Sequence, residues 1–400
     1  MRIAYIYFND LKKYCANVNA SLNMINAFAS YVDTTFISSW ISKKSMEHRL
    51  SFFSLKNEFN HKRVPIILAT NNLLLEKITR FIYCAIALIY LKGKYDVIYT
   101  RDFSFLFFLS YLPKWLKPSQ KVIFEAHTLY HKFSKKVDLN KERRSLSQTD
   151  HIISISEILK KDIVSILNIT DKKITTLNNG VNISNFNKIM PETNYLFNKY
   201  PNTQNKKIIV YTGSFEEDKG INIILKAIKH IKNRNIIILL LGGISKEIRE
   251  FSEKTFFNKK KVIFDRYLPQ EDIIKILKKS DIAIIPHKEK MAKIKYFSPL
   301  KIFEYMACGL PILASDTPIL REILKADNAL FFKTENSRDL AEKIDMLLRN
   351  YSLRKKMRQS NFSFSRQFSW LDRAKKIVAL AHCLVRKTSH EMQAKRFSTF

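Results

Sequence analysis

The sequence predicts an α/β protein of two doubly wound domains. Three observations carry that prediction. Short apolar runs alternate with amphipathic helical stretches along the whole chain, the pattern of parallel βαβ units. The chain has 400 residues, too many for one core of ordinary size. A polar stretch at 184–206, "SNFNKIMPETNYLFNKYPNTQNK", holds two prolines and no clean hydrophobic period, so it reads as a linker. The expected boundaries are a first domain over 1–183, the linker at 184–206, a second domain over 207–370, and a closing helix with a basic tail over 371–400.

Taken in order, "RIAYIYF", "DVIYT", "KVIFEAH" and "HIISIS" read as buried strands of the first half. Between the first two lies "LLLEKITRFIYCAIALIYLKG" (73–93). Glu76, Lys77 and Arg80 interrupt it, and the uncharged run from Phe81 to Leu91 is too short to span a bilayer, so a buried domain helix is expected ahead of an interfacial one. In the second half "KIIVYTG", "IIILLLGG", "KVIF", "DIAIIPH" and "PILAS" read as strands, with "INIILKAIKHIK" and "QEDIIKILKKS" as helices between them.

The stretch 298–318, "SPLKIFEYMACGLPILASDTP", is dense in punctuation for a chain with seven glycines. Ser298 reads as a helix cap, Pro299 as a first-turn residue, Gly309 as a left-handed stop and Pro311 as a barrier to continuation. Leu300, Phe303 and Ala307 share one face of that helix, and Lys301, Glu304 and Cys308 another. Two readings stay open: an i,i+3 surface ion pair, or an anion site at the helix start.

Composition bounds the partners. Basic residues exceed acidic ones, for a formal net charge of +33, and the surplus is spread through both halves. It is compatible with an anionic partner and equally with the codon usage of an AT-rich genome. No aromatic–basic strand motif or basic recognition helix argues for specific nucleic-acid binding. Cys15, Cys84, Cys308 and Cys383 are scattered without metal spacing and read as free thiols. "MRIAYIYF" is a strand rather than a signal peptide, so a cytoplasmic protein is expected. The basic stretch 131–144, "HKFSKKVDLNKERR", reads either as a phospholipid-binding surface or as a solvated helix face.

In doubly wound sheets, ligands sit beyond the carboxyl ends of the strands. Those ends here hold Arg101 and Asp102, Glu125 and His127, Gly213 and Ser214, Gly242 and Gly243, His287, and the turn at 298–304.

Four stretches in this order resemble family 4 glycosyltransferases: "DHIISISEILKKDIVSILNITDKKITTLNNGVNISNF" (150–186), "YTGSFEEDKGINIILKAI" (211–228), "VIFDRYLPQEDIIKILKKSDIAIIPH" (262–287) and "SPLKIFEYMACGLPILASDTPILREIL" (298–324). The resemblance implies the GT-B fold, two Rossmann-like domains facing a central cleft. It implies sugar transfer from a nucleotide diphosphate sugar, UDP- or GDP-linked, to an acceptor hydroxyl with retention at the anomeric carbon. No cofactor and no metal are implied, and the chain carries no D-x-D pair. The implied acceptor is a lipid-linked or growing surface polysaccharide. The implied place of action is the cytoplasm, peripherally on the cytoplasmic face of the inner membrane.

The resemblance also implies roles. His127, Lys219 and Glu304 match catalytic positions. Gly213, Ser214, Lys219, Tyr267, Ser298, Leu300, Lys301 and Glu304 match donor-binding ones, with Lys219 on phosphate and Glu304 on ribose. Arg101 and Asp102 fall on the acceptor side, with a capping pair as the structural alternative. Three positions depart from the family pattern. Tyr296 stands where the first glutamate of an E-x7-E motif is common. Arg266 replaces a frequent glycine. The first loop, "FNDLKKYCANVNAS", lacks the usual glycine pair, leaving Asn17 or Asn19 to take up unusual backbone angles there. Rival readings are a GT-B epimerase using the same donor site and a catalytically inactive scaffold for glycan assembly.

Overall fold

The computed structural model describes residues 1–11, 13–56, 59–65, 73–134, 137–190, 192, 194–254, 256–288, 296 and 298–397, with side chains taken up to residue 386 and, in the helix that begins at Leu73, from Leu75 onward. The chain divides into two compact units. One comprises Met1–Ser51, Leu55–Asn179 and the chain from Trp370 onward; the other comprises Phe52–Ser54 and Gly180–Ser369.

The first unit holds a seven-stranded sheet of order β3-β2-β1-β4-β5-β6-β7. Its strands are β1 (Arg2–Tyr7), β2 (Asp33–Ser39), β3 (Asn60–Val64), β4 (Val97–Thr100), β5 (Lys121–Ala126), β6 (His151–Ser154) and β7 (Ile174–Thr176). All neighbours pair parallel. Its helices are α1 (Ala16–Ala29), α2 (Lys43–Phe52), α3 (Leu73–Leu91), α4 (Phe103–Tyr111), α5 (Leu139–Ser147) and α6 (Glu157–Leu167). The second unit has a six-stranded parallel sheet of order β10-β9-β8-β11-β12-β13. These strands are β8 (Lys207–Thr212), β9 (Ile236–Gly243), β10 (Val262–Arg266), β11 (Ile282–Ile285), β12 (Ile312–Ser315) and β13 (Ala329–Phe332). The helices are α7 (Ile183–Lys188), α8 (Tyr195–Lys199), α9 (Ile221–Ala227), α10 (Ser245–Ser252), α11 (Gln270–Lys279), α12 (Leu300–Ala307), α13 (Pro318–Ile323), α14 (Ser337–Arg349) and α15 (Tyr351–Ser365). The last helix, α16 (Trp370–Phe397), belongs to the first unit.

Two faces covered by helices explain the continuous apolar strands. All eight residues of β9 are buried, and Ile209, Leu240, Ile284 and Leu313 sit in one core cluster with Ile224, Leu340 and Ile344 from the flanking helices. Cutting such a side chain back to alanine costs about 2–5 kcal/mol. In each sheet the order reverses once, between β1 and β4 and between β8 and β11. These switch points open a crevice at the strand carboxyl ends.

Four expectations need correction. The stretch 184–206 is not a bare linker: α7, α8 and a turn at Pro201–Thr203 fold into the second unit, where Phe186, Leu196 and Thr203 are buried. The change of unit comes at Asn179 and Gly180, the pair that the family resemblance marks as the crossover between domains, a few residues before the expected boundary at 183. The closing helix is an integral part of the first unit, packed on α1, and it runs on to Phe397, through most of the expected tail. Helix α3 is only half buried. Tyr83, Cys84, Ala87 and Leu91 face the core at helical spacing, while Leu75, Ile78, Phe81, Ile82 and Ile89 are exposed. Finally, Asn17 and Asn19 lie inside α1 with no left-handed backbone; their side chains accept bonds from Arg101 and Asn23.

Candidate active site

In the second unit, β8 delivers Gly213 and Ser214 to the switch point and β11 delivers His287. Gly213 has φ +130°, a conformation rarely open to residues with a Cβ. A Cβ built there would lie 2.6 Å from Lys301 Nζ. The loop then forms a short 3-10 turn, Glu217–Lys219, closed by Gly220 at φ +74°. A Cβ on Gly220 would lie 1.7 Å from the Pro286 carbonyl oxygen. This contact with the end of β11 fixes Lys219 near His287 and Lys301; burial first, then Lys301 and Lys219, holds the His287 ring well below the usual imidazole range. Lys219 Nζ contacts Asp218 at 2.9 Å and Glu216 at 3.5 Å.

The helix of the 298–318 stretch is α12, and its N-cap is Pro299 rather than Ser298. Ser298 is buried just before it, and Leu300 is half-buried in its first turn. Lys301 and Glu304 do not form the surface ion pair that one reading allowed. Lys301 Nζ sits 3.9 Å from the centre of the Tyr211 ring and has no hydrogen-bond partner among the described residues. Burial first, then Lys219, lowers Lys301 to about 7 from 10.5, with Glu304 and Asp218 opposing. Burial raises Glu304 to about 7 from 4.5, with Lys301 opposing. Tyr211 braces the loop by donating to the Ser214 carbonyl at 2.8 Å. Tyr305 of α12 meets the Thr212 backbone N–H at 2.8 Å, tying helix to strand.

Gly213, Lys219, Lys301 and Glu304 are thus brought together, with Ser214 beside them. His287 joins them; the sequence marked it only as a strand-end residue. Tyr267 lies in the loop after β10, half-buried, and Arg266 is exposed at the end of that strand. Tyr296 is 2% exposed, so its ring belongs to the interior. Among the described residues, no three His, Cys, Asp or Glu side chains cluster to hold a metal ion.

The first unit has its own polar cluster at the ends of β4 and β5. His127 Nε2 lies 2.5 Å from Glu125 Oε1, and Arg101 Nη2 lies 3.2 Å from His127 Nδ1. A guanidinium can only donate and a carboxylate can only accept, so the imidazole proton sits on Nε2. Burial first, then Arg101, lowers His127 to about 4, which keeps the ring neutral. Burial alone would raise Glu125, but Arg373, His127 and Arg101 hold it well below the usual carboxylate range. Arg373 comes from α16 and donates to Glu125 Oε2 at 2.9 Å and to the Asn178 carbonyl at 2.9 Å. Tyr99 donates to the same carboxylate oxygen. Asp102 does not pair with Arg101; it caps α4 by accepting from the Ser104 N–H at 2.9 Å. Glu125 and Arg373 were not foreseen as partners, because 248 positions separate them.

The basic stretch 131–144 is largely occupied with structure. His131 pairs with Glu142 at 2.6 Å and Lys132 with Asp162 at 3.6 Å. Arg143 donates to the Leu167 carbonyl at the end of α6, and Arg144 to the Ser110 carbonyl at the end of α4. Lys135 and Lys136 lie outside the described residues.

Comparison with known proteins agrees with this architecture. Residues 193–363 match the family described as Glycosyl transferases group 1, and residues 26–185 match Glycosyltransferase Family 4. An uncharacterized glycosyltransferase of Methanocaldococcus jannaschii is 25% identical over 300 residues, 71% of this chain and 74% of that one. The N,N'-diacetylbacillosaminyl-diphospho-undecaprenol alpha-1,3-N-acetylgalactosaminyltransferase of Campylobacter jejuni is 29% identical over 194 residues, covering 47% of this chain and 48% of its own length. The crystal structure of Anabaena HepE in complex with UDP superposes with a TM-score of 0.74 at 14% identity, covering 96% of this chain and all of that one. With two parallel-sheet units of this topology and both halves matched by glycosyltransferase families, the chain belongs to the family 4 glycosyltransferases of GT-B fold.

Proposed function

We propose that this glycosyltransferase takes a sugar from a nucleoside diphosphate donor and passes it, with retention and without a metal, to a hydroxyl of a lipid-linked or growing glycan. The observation that carries the reading is the meeting of Gly213, Lys219, Lys301 and Glu304 at the β8/β11 switch point. A diphosphate here would take Lys219 over from Asp218 and give Lys301 Nζ the hydrogen-bond acceptor it lacks among the described residues. The first N–H groups of α12 add positive potential at the same place. Two cations and a helix start can offset the negative charge that develops on a leaving nucleoside diphosphate, which is the task a metal performs elsewhere. Glu304 stands one turn further along α12 and can accept from ribose hydroxyls. Tyr267, in the loop after β10, would offer its backbone to the base. The neutral ring of His127 and the acceptor-side Arg101 belong to the other unit, and Asp102 serves as a helix cap there.

The lipid-linked acceptor is supported by the Campylobacter relative, whose name places its acceptor on diphospho-undecaprenol. The test is transfer from UDP- and GDP-sugars to a panel of polyprenyl-diphosphate glycans, with product linkage read by NMR. Full activity in EDTA and a product that keeps the donor's anomeric configuration are expected. A strict need for Mg²⁺ or Mn²⁺, or an inverted product, contradicts the reading.

A further inference from the structure

Helix α3 has two apolar faces, and only one is used by the core. Tyr83, Ala87 and Leu91 are at most 1% exposed. The opposite stripe, Leu75, Ile78, Ile82 and Ile89, recurs at helical spacing with exposures of 42–64%, and Phe81 beside it is 63% exposed. This surface continues beyond the helix. Phe81 packs edge-on against Phe108 of α4 with ring centres 5.3 Å apart. Helix α4 then ends in exposed Tyr111, followed by "PKWLKP" (113–118). There a short 3-10 turn holds Trp115 at 80% exposure, the most exposed of the large apolar side chains among the described residues, next to half-exposed Leu116. Gln120 closes the circuit by donating to the Leu91 carbonyl, 3.0 Å away, at the far end of α3. Monomeric proteins rarely leave so long an apolar surface bare without a use for it.

The charges around the patch choose its occupant. Lys77, Lys92, Lys94 and Lys114 are exposed at its edges, with Lys117 half-buried beside Trp115. Glu76, the acid of α3, is held by Arg80 at 2.9 Å. A lysine-rimmed apolar helix with a proline-flanked tryptophan suits the boundary between headgroups and acyl chains, where aromatic rings and lysine stems both settle. At ~1.5 Å per residue, α3 would lie along a bilayer for about 27 Å. No helix among the described residues is long and apolar enough to cross one.

We infer that the α3 stripe and the Trp115 turn form a docking face for a bilayer carrying anionic phospholipids. This goes beyond the proposed reaction and stands on different residues, all within the first unit. It also places membrane contact on a surface other than 131–144, where His131, Lys132, Arg143 and Arg144 are held by structural bonds.

The test is co-sedimentation of the full chain with vesicles of phosphatidylcholine alone or mixed equally with phosphatidylglycerol, at low and high salt. Strong binding to the mixed vesicles is expected, weakened by salt. Phe81→Ser with Trp115→Ser should reduce it by about tenfold or more, and Lys77→Glu with Lys114→Glu should remove most of its salt dependence. The thermal shift given by UDP or GDP should stay the same in all these variants, which separates a failed docking face from a failed donor site. Binding of the double serine variant equal to wild type overturns the inference, as does no binding of the wild type to mixed vesicles. A wild-type dimer in light scattering that the serine substitutions dissociate also overturns it, because a second copy then covers the face.

Discussion

Lys301 Nζ occupies the space that a side chain on residue 213 would need: a Cβ built on Gly213 would lie 2.6 Å from it. The glycine and the lysine are therefore one device. The absent Cβ lets an ammonium lie against the strand end, and φ +130° aims the loop toward Lys219. Gly213→Ala should displace Lys301 and strain the loop. The expected result is a loss of about 1–3 kcal/mol in stability and of most nucleotide binding, read by chemical denaturation and calorimetry. Unchanged binding in a folded variant would show that the two residues act separately.

The Lys301–Glu304 pair gives a pH signature. Glu304 is raised to about 7 from 4.5, so its contribution to stability is full below 4.5 and is lost as pH rises to about 7. Lys301 is lowered to about 7 from 10.5, so between these values the unfolded chain holds a proton the folded chain has released, and stability rises with pH. The difference in stability between wild type and a Lys301→Met, Glu304→Gln variant should therefore pass through a minimum near neutral pH. A flat difference curve contradicts the burial of the pair.

The same lysine should report ligand charge. If a diphosphate settles on Lys301, the amine regains its proton, and binding above neutral pH takes protons from the buffer. Calorimetry in buffers of different ionisation enthalpy measures that uptake. It should vanish in Lys301→Met; an equal uptake in that variant assigns the proton to another group.

The cluster of the first unit makes a stability prediction. Arg373→Met leaves Glu125 buried without its main counter-charge, which should cost about 3–5 kcal/mol. Adding Glu125→Gln should recover part of the loss. The His127 ring, held neutral by burial and Arg101, should not titrate by NMR between about pH 5 and about pH 8. A midpoint inside that range contradicts the described network.

How far the sequence could be read depends on where each signal is stored. Strands such as β8 and β9 are buried on both faces, so their apolar runs announce them. Strand β2, "DTTFISS", is as buried but hides behind hydroxyls. Thr34, Ser38 and Ser39 satisfy theirs on the carbonyls of Val32, Ser39 and Asn9. Strand β3, "NHKRV", is an edge strand with polar side chains. The residues that meet at the β8/β11 switch point lie in local motifs, Gly213 to Gly220 and Ser298 to Gly309, so their proximity was legible. What escaped is pairing across distance. Nothing near Arg373 says that α16 returns to meet Glu125, and nothing near Tyr211 says that its ring carries Lys301. The same limit explains the corrected linker, whose polar residues surround the few buried anchors, Phe186 and Leu196.

The most direct test of the donor site is calorimetric titration of UDP and of GDP into wild type, Lys219→Ala and Glu304→Ala. One of the two nucleotides should bind the wild type at a single site. Each substitution should weaken it by about tenfold to a hundredfold, the worth of a charged hydrogen bond, with the melting temperature of the free protein preserved. Wild-type affinity in both folded variants would contradict the assignment of this site.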